Sequence, residues 1–198
     1  MNRRSFISMS AGAAMTAAAS RIFALEFYPA PSSLKCAILY GTRYGSTRDA
    51  ALWIGEGMGA IAQVYDAREK PDLSGYDHLV IGTGIYGGRA APALEEYLSQ
   101  CAPKLAARVR ALFVVCGQGP EGLKPYGTML KALAKAEPPL IKAFSGRVTL
   151  NLFEPDVYKR MQEFYQKSNR PWADSDSLSR PECLQFGREI LAAVKKPA

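Results

Sequence analysis

Thr42, Arg43, Tyr44, Gly45, Ser46 and Thr47 bring three hydroxyls and a glycine together just before a helix-compatible run that begins at Arg48. Backbone N–H groups at a helix start lack intrahelical acceptors, and the helix dipole adds partial positive charge there, so such a loop suits an anion. It has no Gly-Lys-Ser/Thr ending and no lysine to reach the β- and γ-phosphates of a nucleotide triphosphate. It also lacks GxGxxG spacing. A hydroxyl-rich loop of this kind suits one terminal phosphate. Arg43 and Arg48 can each add a charge-assisted hydrogen bond, although Arg48 equally suits a solvent-facing place on the first helical turn.

A loop that holds an anion needs a rigid strand behind it. Cys36, Ala37, Ile38, Leu39 and Tyr40 form a short apolar run bounded by Gly41, the pattern of a strand buried on both faces. A helix over 48–58 stops at Gly59, and a second strand follows over 62–66. The third strand, Leu79, Val80 and Ile81, runs into the glycine-rich loop Thr83, Gly84, Ile85, Tyr86 and Gly87, then a helix over about 90–100. The fourth strand, over 111–116, is followed by Gly117, Gln118 and Gly119 and by a helix over about 125–135. A fifth strand is expected over 147–153 and a last amphipathic helix over 181–194. Strands alternating with helices imply a doubly wound α/β fold with a five-stranded parallel sheet in the order 2-1-3-4-5. The three loops then meet at the carboxyl edge, where such sheets bind ligands.

The spacing T-x-x-G-x-T in Thr42, Gly45 and Thr47 resembles the phosphate loop of flavodoxins. The fuller TRxGxTR over 42–48 is closer to the flavodoxin-type menaquinone-dependent protoporphyrinogen oxidases. The resemblance spans about residues 34–194. It implies FMN as cofactor, with the first loop on the phosphate and the two later loops, from Thr83 to Gly87 and from Gly117 to Gly119, around the isoalloxazine ring. Tyr86 would be the stacking aromatic, and the third loop lacks the aromatic many flavodoxins place there. Segment 154–168, with Tyr158, Met161, Phe164 and Tyr165 at helical spacing, exceeds a minimal flavodoxin. It is expected to be an extra helix covering the core; the alternative is a docking element for a membrane, quinone or redox partner, as a similarly placed insertion in the oxidase group suggests. Residues 169–180 read as a loop.

The chain has 198 residues, 48% of them apolar, and a net charge of +7. That suffices for one domain, expected over 34–196, with a full core. Arg3 and Arg4 sit in a twin-arginine pattern ahead of a small-residue stretch, which reads as a twin-arginine export signal over residues 1–24, and an uncleaved membrane anchor is the weaker reading. Without that segment the charge falls to +4, since Arg3, Arg4 and Arg21 leave with it. The basic residues are dispersed and no nucleic-acid motif is present. Cys36, Cys101, Cys116 and Cys183 have no metal spacing, and His78 is the only histidine, so no metal site and no catalytic triad is expected. An oxidising compartment would permit disulfides.

Three functions compete. The first is an exported, periplasmic FMN protein that carries electrons to a redox partner protein or a quinone after passage through the twin-arginine translocase, with peripheral membrane contact compatible. The second is an FMN-dependent enzyme like the protoporphyrinogen oxidases. The third is a flavodoxin-like binding module that has lost FMN. No catalytic side chain is assigned, because flavin chemistry belongs to the cofactor.

Overall fold

The computed structural model describes residues 33–117 and 119–195. The expected export segment falls on residues outside that range, as does Gln118.

Five parallel strands form the sheet: β1 (Cys36–Gly41), β2 (Ala62–Asp66), β3 (His78–Gly84), β4 (Val109–Cys116) and β5 (Leu140–Ser145), in the order β2-β1-β3-β4-β5. Every residue of β1 is buried, as its unbroken apolar run requires between two neighbouring strands and two helical layers. Successive side chains of a strand point to opposite faces. Ile38 and Tyr40 therefore pack with Phe113, beneath α1 (Ser46–Met58) and α5 (Arg180–Lys195). Ala37 and Leu39 join Leu112 and Val114 beneath α2 (Pro92–Leu105) and α3 (Leu123–Ala134).

Helices α1 and α5 touch at backbone distance. A Cβ on Gly187 would overlap the carbonyl oxygen of Ile54, and one on Gly57 would overlap that of Leu184. Two glycines thus let the helices approach, and α5 buries Phe186 and Ile190 against the sheet. Each of those side chains contributes about 1.5–3 kcal/mol of apolar burial.

Strand β5 lies earlier than the sequence pattern placed it. The expected strand over 147–153 is instead the two-residue strand β6 (Arg147–Val148), paired antiparallel with β7 (Ser175–Asp176), followed by a 3-10 turn at Leu150–Leu152. The true fifth strand is a sheet edge and carries Lys142 at its centre, which breaks the apolar run that marks a buried strand. That ammonium lies 5.4 Å from the ring of Phe144 and 5.8 Å from that of Phe186. A cation over aromatic faces is tolerated at an edge, where its stem can lie along apolar surface.

Helix α4 (Pro155–Lys167) occupies the extra segment, but it does not cover the core, because none of its residues is buried. It is held by aromatics. Trp172 stacks on Phe153 and meets Tyr158 and Tyr165 edge-on, and its indole N–H donates to the Tyr158 hydroxyl at 3.0 Å. No disulfide joins the four cysteines. Burial pushes the thiols of Cys36 and Cys183 up to about 12, so both stay protonated. Among the described residues no helix is long and apolar enough to cross a membrane, and no cluster of side chains has the makings of a metal site.

Candidate functional site

The turn from β1 to α1 is built around Gly45, whose φ of 95° is in the left-handed region that glycine adopts without penalty. That conformation aims the first N–H groups of α1 into the space above the sheet edge. Among the described residues no side chain caps them. The three hydroxyls of the loop behave differently. Thr42 Oγ1 accepts the N–H of Gly45 at 3.0 Å and so braces the turn. Ser46 Oγ accepts the N–H of Arg147 at 3.1 Å. Thr47 Oγ1 is buried, with the residue only 1% exposed, and has no hydrogen-bond partner among the described residues.

A buried hydroxyl without a partner costs on the order of 1–3 kcal/mol. A fold bears that cost where a ligand meets the group. An uncapped helix start, a left-handed glycine and an orphaned threonine hydroxyl at one corner together fit an oxyanion. Nearby carboxylates would oppose one, yet Asp49 of the first helical turn is neutralised. The Arg147 guanidinium donates to Asp49 Oδ2 at 3.0 Å and to Asp176 Oδ2 at 2.8 Å, tying the loop to the β6–β7 pair. Arg147 in turn holds the carboxyl of Asp176 below its usual range.

From this corner a cavity of about 740 Å³ extends along the carboxyl ends of the strands. Its volume lies within the range of pockets for drug-sized ligands, about 300–1,000 Å³. Of the residues singled out in the sequence, Arg43, Tyr44, Ser46 and Thr47 line it from the first loop, Ile85, Tyr86 and Gly87 from the second, and Gly117 from the third. Thr42, Gly45, Thr83, Gly84 and Gly119 are not among its lining residues. Thr83 Oγ1 is fully buried and accepts the N–H of Ala91 at 2.9 Å while donating to the Gly84 carbonyl, so it shapes the second loop from beneath. Gly84 leaves room that a Cβ would take from Tyr86 and Thr47.

The far wall was not assigned to a site from the sequence. Phe153, Val157, Met161 and Tyr165 line the cavity from α4 and the short segment before it, with Arg89, Arg147 and Arg160 among the polar lining. Val157, Met161 and Tyr165 recur every four residues, so a single helix face was legible; which surface it would meet was not. The rim arginines are paired: Arg89 with Glu95 at 2.7 Å and Arg160 with Asp156 at 2.9 Å. Arg48, by contrast, is exposed beside Asp49 and does not line the cavity.

Glu154 joins α4 to the loop. One carboxylate oxygen takes the Arg43 guanidinium at 2.8 Å and the other the Tyr44 hydroxyl at 2.8 Å. Its own backbone N–H, then Tyr44 and Arg43, hold the Glu154 carboxyl below the usual range. Burial, with the bond to Glu154 second, pushes the Tyr44 phenol up to about 12. The ring of Tyr44 meets those of Phe153 and Tyr86 edge-on, at 5.0 and 5.7 Å.

A family model of the flavodoxin domain matches residues 37–171. The chain belongs to the flavodoxin domain family. The solved structures agree on the fold. A flavodoxin from the domain Archaea superposes with a TM-score of 0.53 at 15% identity, over 82% of this chain and 100% of the other. Oxidised flavodoxin 1 from Bacillus cereus gives 0.52 at 17% identity, over 83% and 99% of the two chains. The two-electron reduced flavodoxin of Megasphaera elsdenii gives 0.50 at 18% identity, over 79% and 98%. At these identities the likeness is one of fold. No curated protein matches the sequence. The flavodoxin-like sheet order expected from the strand pattern is the order observed.

Proposed function

We propose that this flavodoxin-domain protein binds FMN in the cavity and carries electrons through it. The observation that carries the reading is Thr47 Oγ1, a buried hydroxyl with no partner among the described residues, at an uncapped helix start that opens into a cavity of cofactor size. Membership of the flavodoxin family supports the choice of a flavin mononucleotide over other phosphates. The N–H groups of α1 and Thr47 would hold the phosphate, and Ile85, Tyr86, Gly87 and Gly117 would border the ring. When bound, FMN supplies the redox chemistry. The protein's part is to bind and orient the cofactor and to restrict water around it through the apolar side chains of Ile85, Phe153, Val157 and Met161.

The visible spectrum of the purified full-length protein tests this directly. A yellow protein, or one that takes up FMN with micromolar or tighter affinity, is the expected result; a colourless protein indifferent to added FMN overturns it. Thr47→Ala combined with Gly45→Asp should weaken FMN by at least tenfold, since it removes a phosphate ligand and places a carboxylate at the helix start. Equal affinity in the double variant would remove the phosphate-loop assignment.

The twin-arginine pattern at Arg3 and Arg4 supports export to the periplasm through the twin-arginine translocase, with a redox partner protein or quinone met there. A second reading has one observation in its favour. The α4 wall of the cavity is largely apolar, which suits an enzyme like the protoporphyrinogen oxidases that passes electrons from a reduced substrate to a quinone. Turnover of protoporphyrinogen with a menaquinone analogue would favour that enzyme over the carrier.

A further inference from the structure

Tyr86 lines the cavity, and its hydroxyl end reaches the first loop. Its hydroxyl accepts the backbone N–H of Arg43 at 2.8 Å, across 43 residues of sequence. Its backbone is pinned. Tyr86 and Arg89 exchange both N–H···O bonds, at 2.9 and 3.2 Å, around Gly87 and Gly88 with φ of 58° and 84°, the signature of a type I′ turn. The turn that carries Tyr86 is thus held by its own backbone bonds, independently of the phenol contact. The hydroxyl end of Tyr86 and Thr47 Oγ1 crowd the same point, the one a Cβ on Gly84 would occupy. A phenol oxygen thus lies in the corner where the orphaned hydroxyl and the helix start favour an oxyanion. It takes one of the loop's own donors.

We propose that Tyr86 is an intramolecular competitor for the phosphate site, whose hydroxyl occupies the loop and is displaced by the phosphate of FMN. The proposal rests on the FMN reading and adds a residue that sets how tightly the phosphate is held. Charged acceptors make hydrogen bonds about twice as strong as neutral ones, so a phosphate displaces the phenol from Arg43 N–H. The apparent affinity is still lowered by the fraction of molecules in which the loop is free. One neutral hydrogen bond corresponds to roughly two- to tenfold in that fraction. Riboflavin has the ring and the ribityl chain without the phosphate, so it does not compete with Tyr86 for the loop.

The test compares full-length wild type with Tyr86→Phe, which keeps the ring and removes the hydroxyl. Binding of FMN and of riboflavin is read by quenching of flavin fluorescence, and inorganic phosphate serves as competitor. Tyr86→Phe should tighten FMN by two- to tenfold, strengthen competition by phosphate to a similar degree, and leave riboflavin unchanged. Weaker or equal FMN binding, or an equal shift for both flavins, would overturn the proposal. So would a crystal structure of the wild type with FMN in which the Tyr86 hydroxyl still accepts Arg43 N–H; this observation decides the matter even where the variant does not fold. A wild type that binds neither flavin removes the cofactor reading itself, and with it the competitor. A wild type that binds FMN, matched by Tyr86→Phe, removes only the competitor.

Discussion

Thr42, Ser46 and Thr47 look alike in the sequence and have three different fates. One braces the turn by taking the N–H of Gly45, three residues on; one takes the N–H of Arg147, 101 residues away; one has no partner among the described residues. The local pattern therefore marked a candidate anion loop, while only the folded chain singled out the hydroxyl that is buried without a partner among the described residues. Glu154 shows the same limit. Nothing in its neighbourhood in the sequence marks it, yet it holds Arg43 and Tyr44, 111 and 110 residues away. Its depressed carboxyl pKa fixes the sign of a pH effect. The contribution of this contact is fully present above the ordinary glutamate value and is lost as pH falls through the lower, folded value. Trp172, stacked on Phe153 next to Glu154, reports on it. Acidification below about 4 should change wild-type tryptophan fluorescence, and Glu154→Gln should lack that component because nothing at the position titrates. An identical acid titration in the two proteins would show that the latch does not respond to Glu154.

At the scale of elements, the central strands were readable because burial on both faces forces an unbroken apolar run, as in β1 and β4. β5 was misplaced because an edge strand faces fewer neighbours and tolerates Lys142. Helix α4 was found at its true position and given the wrong task. Its periodicity reveals one apolar face, and a helix over a core and a helix over a cavity share that periodicity. Packing of α1 on α5 depends on glycines whose importance is invisible without the neighbouring backbone. Gly187→Ala would push a methyl into the Ile54 carbonyl, and we expect a loss of about 1–3 kcal/mol, read as a lower urea midpoint with an unchanged slope. A midpoint equal to wild type would mean that the two helices separate without cost. Because α1 carries the proposed phosphate loop at its first turn, the same variant should also weaken FMN modestly.

For the whole molecule, the proposed route to the periplasm and the proposed cofactor are linked. The twin-arginine pathway is understood to carry folded proteins, so a flavin can be inserted before passage. Replacing both Arg3 and Arg4 with Lys is expected to retain the protein in the cytoplasm with its FMN affinity unchanged. Undiminished periplasmic recovery would remove the export proposal and leave the cofactor proposal standing. The protein's positive charge, +7 over the full chain, is spread rather than gathered, and the arginines around the cavity are each matched by a carboxylate. Long-range steering of an acidic partner by these paired groups is therefore weak.

The order of apolar runs, glycines and hydroxyls along the chain was enough to determine a doubly wound parallel sheet and the three loops that converge on its carboxyl edge. These features are local or periodic: a strand's burial shows in its composition, and a helix start shows in the residues that precede it. The tertiary structure alone decided which hydroxyl is orphaned, which acid fastens α4 to the loop, and where the Tyr86 phenol rests. The last two rest on partners 43, 110 and 111 residues away, and the first on which groups the folded chain leaves beyond reach; a single sequence does not record such pairings.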